Sequence, residues 1–395
     1  MKIAFFSNFL NHHQLPLCEE FNKKQDVEFV FVATEPISQD RLDMGYADMN
    51  KQYSFVLRSY EEGAEEKAMK IAEEFDVVIF GAAPLKYLEK RMQKDKLTFY
   101  FCERPLKKGY WRRFIPITRR KLNNAFIKFK NKPLYLLGAS AYASYDLKLC
   151  GFNEKKCFKW GYFPKIETKN LTKLLSLKNN NNKVEILYAG RILKLKRVID
   201  FVKAVKILVC EGESNLHFTI IGDGEEKNNI EKYIADNKID KYITILPFKT
   251  PSEVRCFMEG ADIYVFGSDF NEGWGAVVNE AMNSACALVV SHAVGSVPYL
   301  IKNGDNGLIY QCGKVEEIAR NLKILIENKK LRDQIGENAY KTITKHWTAE
   351  VAATRLIAVA EKIQQGETPF FEEGVCSCAT PIKNYWIKKE KENIK

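Results

Sequence analysis

Ala261-Asp-Ile-Tyr-Val-Phe266, then Asp269-Phe-Asn-Glu-Gly-Trp-Gly-Ala-Val-Val-Asn-Glu280, reads as a buried strand, a glycine-rich loop and the start of a helix. Glu272 therefore falls at the carboxyl end of a strand, where open parallel sheets bind ligands. Glu280 is expected about two turns into the helix or beside it, on the same side. Gly273 and Gly275 let the backbone come close to a ligand, and free amides at a helix start, around Ala276 and Val277, suit an anion. Two carboxylates and a nest of amides suit a polyhydroxylated, phosphate-bearing ligand such as a sugar nucleotide. Taken singly, Glu272 reads equally well as a loop acid and Glu280 as an acid favoured by the helix dipole.

Working outward, strand and helix patterns alternate along the chain. Lys2–Ser7, 27–33, Val77–Phe80, Thr98–Cys102 and 133–137 are expected strands, with helices at 15–24 and 61–74. The rhythm resumes with strands at Val184–Ala189, 217–221, Ile243–Leu246, Ile263–Phe266 and Ala287–Ser291. Helices are expected between them at Val198–Cys210 and 227–237, and after them at 315–328, 330–347 and 349–365. Such alternation implies parallel sheets covered on both faces. At 395 residues, two domains are the default. The polar stretch 168–183, with four consecutive asparagines at 179–182, reads as the link between them.

Several segments share one order with a known family. Gly190-Arg-Ile-Leu-Lys-Leu-Lys196, Ile220-Ile-Gly-Asp-Gly224, the Glu272 and Glu280 pair, Gly295-Ser-Val-Pro298 and Asn303-Gly-Asp-Asn-Gly-Leu308 together resemble the retaining glycosyltransferases of family 4. The first half resembles them more weakly, through Asn8-Phe-Leu-Asn-His-His-Gln-Leu-Pro16 and Trp160-Gly-Tyr-Phe-Pro164. The resemblance implies an α/β GT-B fold, two Rossmann-like doubly wound domains facing each other across a cleft. It implies an acceptor-binding domain over 1–167, a linker over 168–183, a donor-binding domain over 184–365 and a tail, 366–395, crossing back, with 382–391 able to do so. The implied activity is transfer, with retention, of a sugar from a nucleoside diphosphate sugar, a UDP-sugar, to a saccharide or lipid-linked glycan in surface polysaccharide synthesis. No cofactor is implied beyond the nucleotide sugar as co-substrate. With no Asp-x-Asp motif and two cations facing the diphosphate, no metal is required.

The same resemblance assigns roles. Arg191 and Lys196 grip the donor diphosphate, and the basic cluster they form with Lys194 and Arg197 near a helix start itself asks for an anion. Glu272 faces the transferred sugar and Glu280 accepts from the ribose. Gly222 lines the nucleotide cleft. Trp274 reads equally as a wall of the sugar pocket and as a core residue, and Phe248 as a packed aromatic rather than a base platform. Asn11 and His12 stand where relatives carry glycines that approach the donor phosphates, and either His12 or His13 could serve there. Glu103 stands where relatives carry a catalytic histidine, so it is a candidate to orient the acceptor or act as a base. Ala285, Ala287 and Tyr299 depart from the usual Gly, Pro and Glu, and read as packing changes.

The formal charge of +11 is concentrated: residues 104–132 hold eleven Lys or Arg and no acid, interleaved with aromatics. Such a segment suits an anionic membrane surface, ahead of a plain solvated face and well ahead of nucleic acid. Ten cysteines without a Cys-x-x-Cys pair fit a reducing compartment, and no apolar run is long enough for a membrane helix. A cytoplasmic protein, peripheral on the inner face of the membrane, is therefore expected. The rival readings are a sugar-nucleotide epimerase of the same fold, a phosphorylase, and a non-catalytic membrane-docking protein that retains a sugar-nucleotide site.

Overall fold

The computed structural model describes residues 1–39, 42, 47–178 and 183–387. They form two compact units. The first joins residues 1–165 to 347–383, and the second joins 166–346 to the segment from Asn384. Asn179–182 of the expected linker and residues 388–391 of the expected crossing segment lie outside the described residues.

The first unit is built on seven parallel strands: β1 (Lys2–Ser7), β2 (Glu28–Ala33), β3 (Val56–Arg58), β4 (Val77–Phe80), β5 (Thr98–Cys102), β6 (Leu134–Gly138) and β7 (Cys157–Lys159). Their order is β3-β2-β1-β4-β5-β6-β7, so the winding reverses between β1 and β4. Both strands at that reversal are buried almost throughout, as expected of a sheet covered on both faces. Helix Ala64–Glu74 carries Glu65 and Glu66 in its first turn, where the helix dipole favours them.

The second unit holds β8 (Val184–Ala189), β9 (Leu216–Ile221), β10 (Ile243–Leu246), β11 (Ile263–Phe266), β12 (Ala287–Ser291) and β13 (Leu308–Tyr310). All pairings are parallel, in the order β10-β9-β8-β11-β12-β13. Here the reversal lies between β8 and β11. Strands β3, β7 and β13 escaped the sequence reading because each is a three-residue edge strand, too short to show a period.

Two expected boundaries are corrected. Residues 171–178 are not a plain link but a helix, Leu171–Lys178, of the second unit. Its Leu174 packs on Ala285 and Tyr340, and its buried Lys178 donates to the carbonyls of Met258 and Ala261. The return to the first unit begins at Trp347 rather than after residue 365. Helix Ala349–Gln364 buries Ala349, Ala352, Ala353, Leu356, Val359 and Ala360, and Lys24 Nζ donates to Thr354 Oγ1 at 3.1 Å. Periodicity identifies an amphipathic helix but not the unit that covers its apolar face.

One buried ion pair organises the loop after β5. Arg104 and Asp146 have side chains 1% and 0% exposed, with Nε to Oδ2 at 3.1 Å. Asp146 Oδ2 also accepts from the Leu106 amide at 2.8 Å. Arg104 lies against the rings of Tyr110 and Tyr142. Asp146→Ala strands a buried guanidinium, so a loss of about 3–5 kcal/mol is expected in urea unfolding.

Candidate functional site

In the second unit, β11 pairs with β8 only at Ile263 with Ile186 and Tyr264 with Leu187. The strands then part toward their carboxyl ends, bridged there by the Tyr264 hydroxyl, which donates to the Ala189 carbonyl at 3.0 Å. This is the kind of crevice in which open α/β sheets hold ligands. The basic segment after β8 and the acidic loop after β11 both emerge at it.

The Gly190–Lys196 segment is pinned by close backbone contacts. Gly222 has φ +145°, and a Cβ there would sit 2.0 Å from the Gly190 carbonyl oxygen. Gly224, at φ +153°, would place one 2.4 Å from the Ile192 oxygen. Only glycine fits either position. The Ile192 amide donates to Asp223 at 2.8 Å and the Tyr188 hydroxyl to the Arg191 carbonyl at 2.9 Å. Lys194–Lys196 forms a single 3-10 turn, ended by Arg197 in the left-handed region and paired with Asp200 at 2.6 Å. Of the four clustered cations, Arg197 is thus held locally, while Arg191 is exposed.

Lys196 and Glu272 meet in an ion pair, their side chains 15% and 14% exposed. The same Glu272 oxygen accepts from Ser268 Oγ at 2.6 Å, and Lys196 Nζ lies 4.9 Å from the Phe266 ring centroid. The loop is tied to the basic segment through the backbone as well, the Asp269 amide donating to Leu195 at 2.9 Å. Residues 76 positions apart are therefore brought together. Ser268 was not singled out beforehand; its place two residues beyond β11 is the signal that could have found it.

Glu280 lies in the first turn of helix Val277–Asn283, less deep than expected. Its carboxylate has no hydrogen-bond partner among the described residues. Burial pushes that carboxyl above its usual range, opposed by Arg255. Arg255 is anchored on the Glu280 carbonyl at 2.9 Å and on Asn283 at 3.1 Å. The amides of Gly275, Ala276 and Val277 likewise have no partner among the described residues, whereas that of Val278 bonds to the Gly275 carbonyl at 2.9 Å. Gly275, at φ +83°, would press a Cβ against Phe266 and Val294 at 2.9 Å. Trp274, left open between wall and core, is a core residue: it is 1% exposed, and its indole N–H donates to Asn279 at 2.9 Å. Gly273, beside it, is buried too.

One further position differs from expectation. Phe248 does not pack; it is 75% exposed just beyond β10, next to β9, the strand that leads into Gly222. Ala285 adopts φ +52°, a left-handed conformation that explains why glycine is usual there.

The first unit places its own candidates after β1 and β5. Glu103 is paired with Lys107 and accepts from the Tyr162 hydroxyl at 3.0 Å. The His13 ring lies 5.5 Å from that of Tyr162 and 3.9 Å from that of His12. Asn11 is occupied locally: its Oδ1 accepts from the His13 amide at 3.0 Å and its Nδ2 donates to Gln14 at 2.9 Å. Glu103, His13, Tyr162 and Lys107 thus form one cluster, with Asn11 shaping the turn that presents it. Lys107 was passed over because it read as one more charge in a basic run.

The two parallel-sheet units define a GT-B protein. Residues 173–342 match the family model described as Glycosyl transferases group 1. Among curated relatives, the Staphylococcus aureus capsular polysaccharide biosynthesis glycosyltransferase CapM is 26% identical over 43% of this chain and 44% of its own length. The Acholeplasma laidlawii alpha-monoglucosyldiacylglycerol synthase is 30% identical over 51% and 49%. The chain thus spans about half the length of these relatives. Anabaena HepE, solved with UDP, superposes with a TM-score of 0.69 at 16% identity, covering 92% of this chain and all of that one. The lipopolysaccharide outer core galactosyltransferase WaaB gives 0.64 at 16% identity over 92% of this chain and all of its own. At such identity these likenesses show the fold.

The pH behaviour of Glu280 follows from its burial. A carboxyl raised in the folded state contributes stability at acid pH that is lost as pH rises through its folded-state value. Glu280→Gln should therefore raise the melting temperature at neutral pH, by roughly 2–4 °C for each kcal/mol recovered. Thermal unfolding across acid and neutral pH checks this: the gain should shrink as pH falls.

Proposed function

We propose that the second unit binds a nucleoside diphosphate sugar, a UDP-sugar, and that the protein transfers its sugar with retention to a saccharide or lipid-linked glycan acceptor. The observation that carries this reading is the Lys196–Glu272 pair at the sheet's reversal, beside the exposed Arg191 and the amides of Gly275–Val277, which have no partner among the described residues. A diphosphate entering there draws Lys196 from Glu272 and gains the Arg191 fork. Both cations then stabilise the charge that develops on the departing diphosphate, the largest electrostatic demand of the reaction, without a metal ion. Glu272, released from Lys196, accepts hydrogen bonds from sugar hydroxyls. Glu280 accepts from the ribose, which gives donors to a carboxylate with none among the described residues, and Phe248 offers an exposed face to the base.

Glu103, with Lys107 and Tyr162, is the acceptor-side candidate of the first unit; Asn11 and His12 remain candidates for donor contact there. Surface polysaccharide or glycolipid synthesis is the setting proposed by similarity to CapM and the Acholeplasma synthase. Among the described residues no helix is long and apolar enough to cross a membrane. A cytoplasmic location remains part of the proposal.

A thermal-shift series tests the donor site. UDP about 100-fold above its dissociation constant should add about 2.7 kcal/mol of stability, and Arg191→Ala or Lys196→Ala should abolish the shift. Glu272→Ala frees Lys196, so UDP binding should persist or tighten while turnover of a UDP-sugar with acceptor falls at least about 100-fold. Loss of UDP binding in Glu272→Ala would contradict the exchange of Lys196 between carboxylate and diphosphate. Conversion of a UDP-sugar without acceptor would favour the epimerase reading.

A further inference from the structure

We propose that an arginine-lined groove in the first unit, with the apolar residues beside it, docks the protein on a bilayer of anionic phospholipid. The groove, of about 780 Å³, lies along helix Pro116–Ala125 and is lined by Arg113, Arg119 and Arg120 with Phe114, Leu122 and Leu149. None of the residues lining it is acidic.

The basic run 104–132 divides in two. Four of its eleven cations are already engaged: Arg104 with buried Asp146, Lys107 with Glu103, Lys128 with Glu89 and Lys132 with Asp95. The seven that remain make no ion pair among the described residues, and five of them, at 112, 113, 119, 120 and 121, fall within ten positions. The expectation that the whole run faces a membrane is therefore corrected, most plainly at Arg104, which is buried. What is left is a compact cationic patch around the groove.

Beside that patch the chain exposes large apolar side chains. Trp111 is 61% exposed, Phe114 70% and Ile117 65%. Gly109 leaves room for the Trp111 ring: a Cβ there would lie 2.7 Å from the indole nitrogen. The Arg113 guanidinium sits 4.3 Å from the Phe114 ring centroid and donates to the Tyr110 carbonyl at 3.1 Å. Apolar groups exposed in this way gain by leaving water, and unpaired arginines beside them gain by meeting phosphate. A lipid surface offers both at one depth, headgroup phosphates for the arginines and acyl chains for the apolar side chains. RNA fits less well, because Ile117, Leu122 and Leu149 have no ring to stack on a base.

The test is co-sedimentation of the full chain with phosphatidylcholine vesicles, with and without about 30% phosphatidylglycerol. Binding is expected only with phosphatidylglycerol and should weaken as salt rises. Replacing Arg113, Arg119 and Arg120 together by Gln should weaken it at least about 30-fold. Trp111→Ser with Phe114→Ser should weaken it about tenfold at unchanged charge. Both variants should keep the wild-type melting temperature and UDP response, which separates loss of docking from loss of fold or of the donor site. Equal binding to phosphatidylcholine alone, or an unaffected arginine variant, would overturn the proposal. So would capture of single-stranded RNA through the same arginines without vesicle binding.

Discussion

The pairing of Lys196 with Glu272 is the constraint on which the second unit's candidate site depends. A lysine and a glutamate largely withdrawn from water are costly unless they meet, and here they meet where β8 and β11 part. Each comes from a loop fixed by something else. The lysine's loop is held by glycines that admit no side chain, Gly222 and Gly224. The glutamate's loop is held by Ser268, by the Asp269 amide on Leu195 and by the buried Trp274 behind it. A charged ligand can then exchange one partner of an existing pair, rather than order two free side chains, at a smaller entropic cost.

The first unit repeats the architecture and changes the chemistry. Its candidates also follow strand ends, but the central carboxylate, Glu103, is shared between an ammonium and a phenol. The loop that follows is fixed by the buried Arg104–Asp146 pair, next to the segment where Trp111, Phe114 and Ile117 stand exposed. Fixed backbone on one side and exposed apolar side chains on the other is a common arrangement for surfaces that meet a partner.

Most of the sheet framework was legible because central parallel strands are continuous apolar runs: β1, β4, β5, β8, β11 and β12 fell where the sequence put them, as did the four-residue edge strand β10. The short edge strands were not, nor was the unit on which helix Ala349–Gln364 packs, since both depend on tertiary partners. Within the site, the spacing of Glu272 and Glu280 and of Arg191 and Lys196 could be read directly. The fate of the aromatics could not: Trp274 went into the core and Phe248 stayed outside, although both sit in loops that follow strands. Basic residues misled in the same way, because charge alone does not say which arginine has a buried aspartate waiting, as Asp146 waits for Arg104. Polar side chains declare their partners only when distant segments meet.

Amide hydrogen exchange of the full chain, with and without saturating UDP, tests most directly the claim that this crevice holds a nucleoside diphosphate. UDP should slow exchange by about tenfold or more in residues 190–196 and at Gly275–Val277, the latter three having amides with no partner among the described residues. Protection confined to the first unit, or none at UDP concentrations that raise the melting temperature, would contradict the assignment of the donor site.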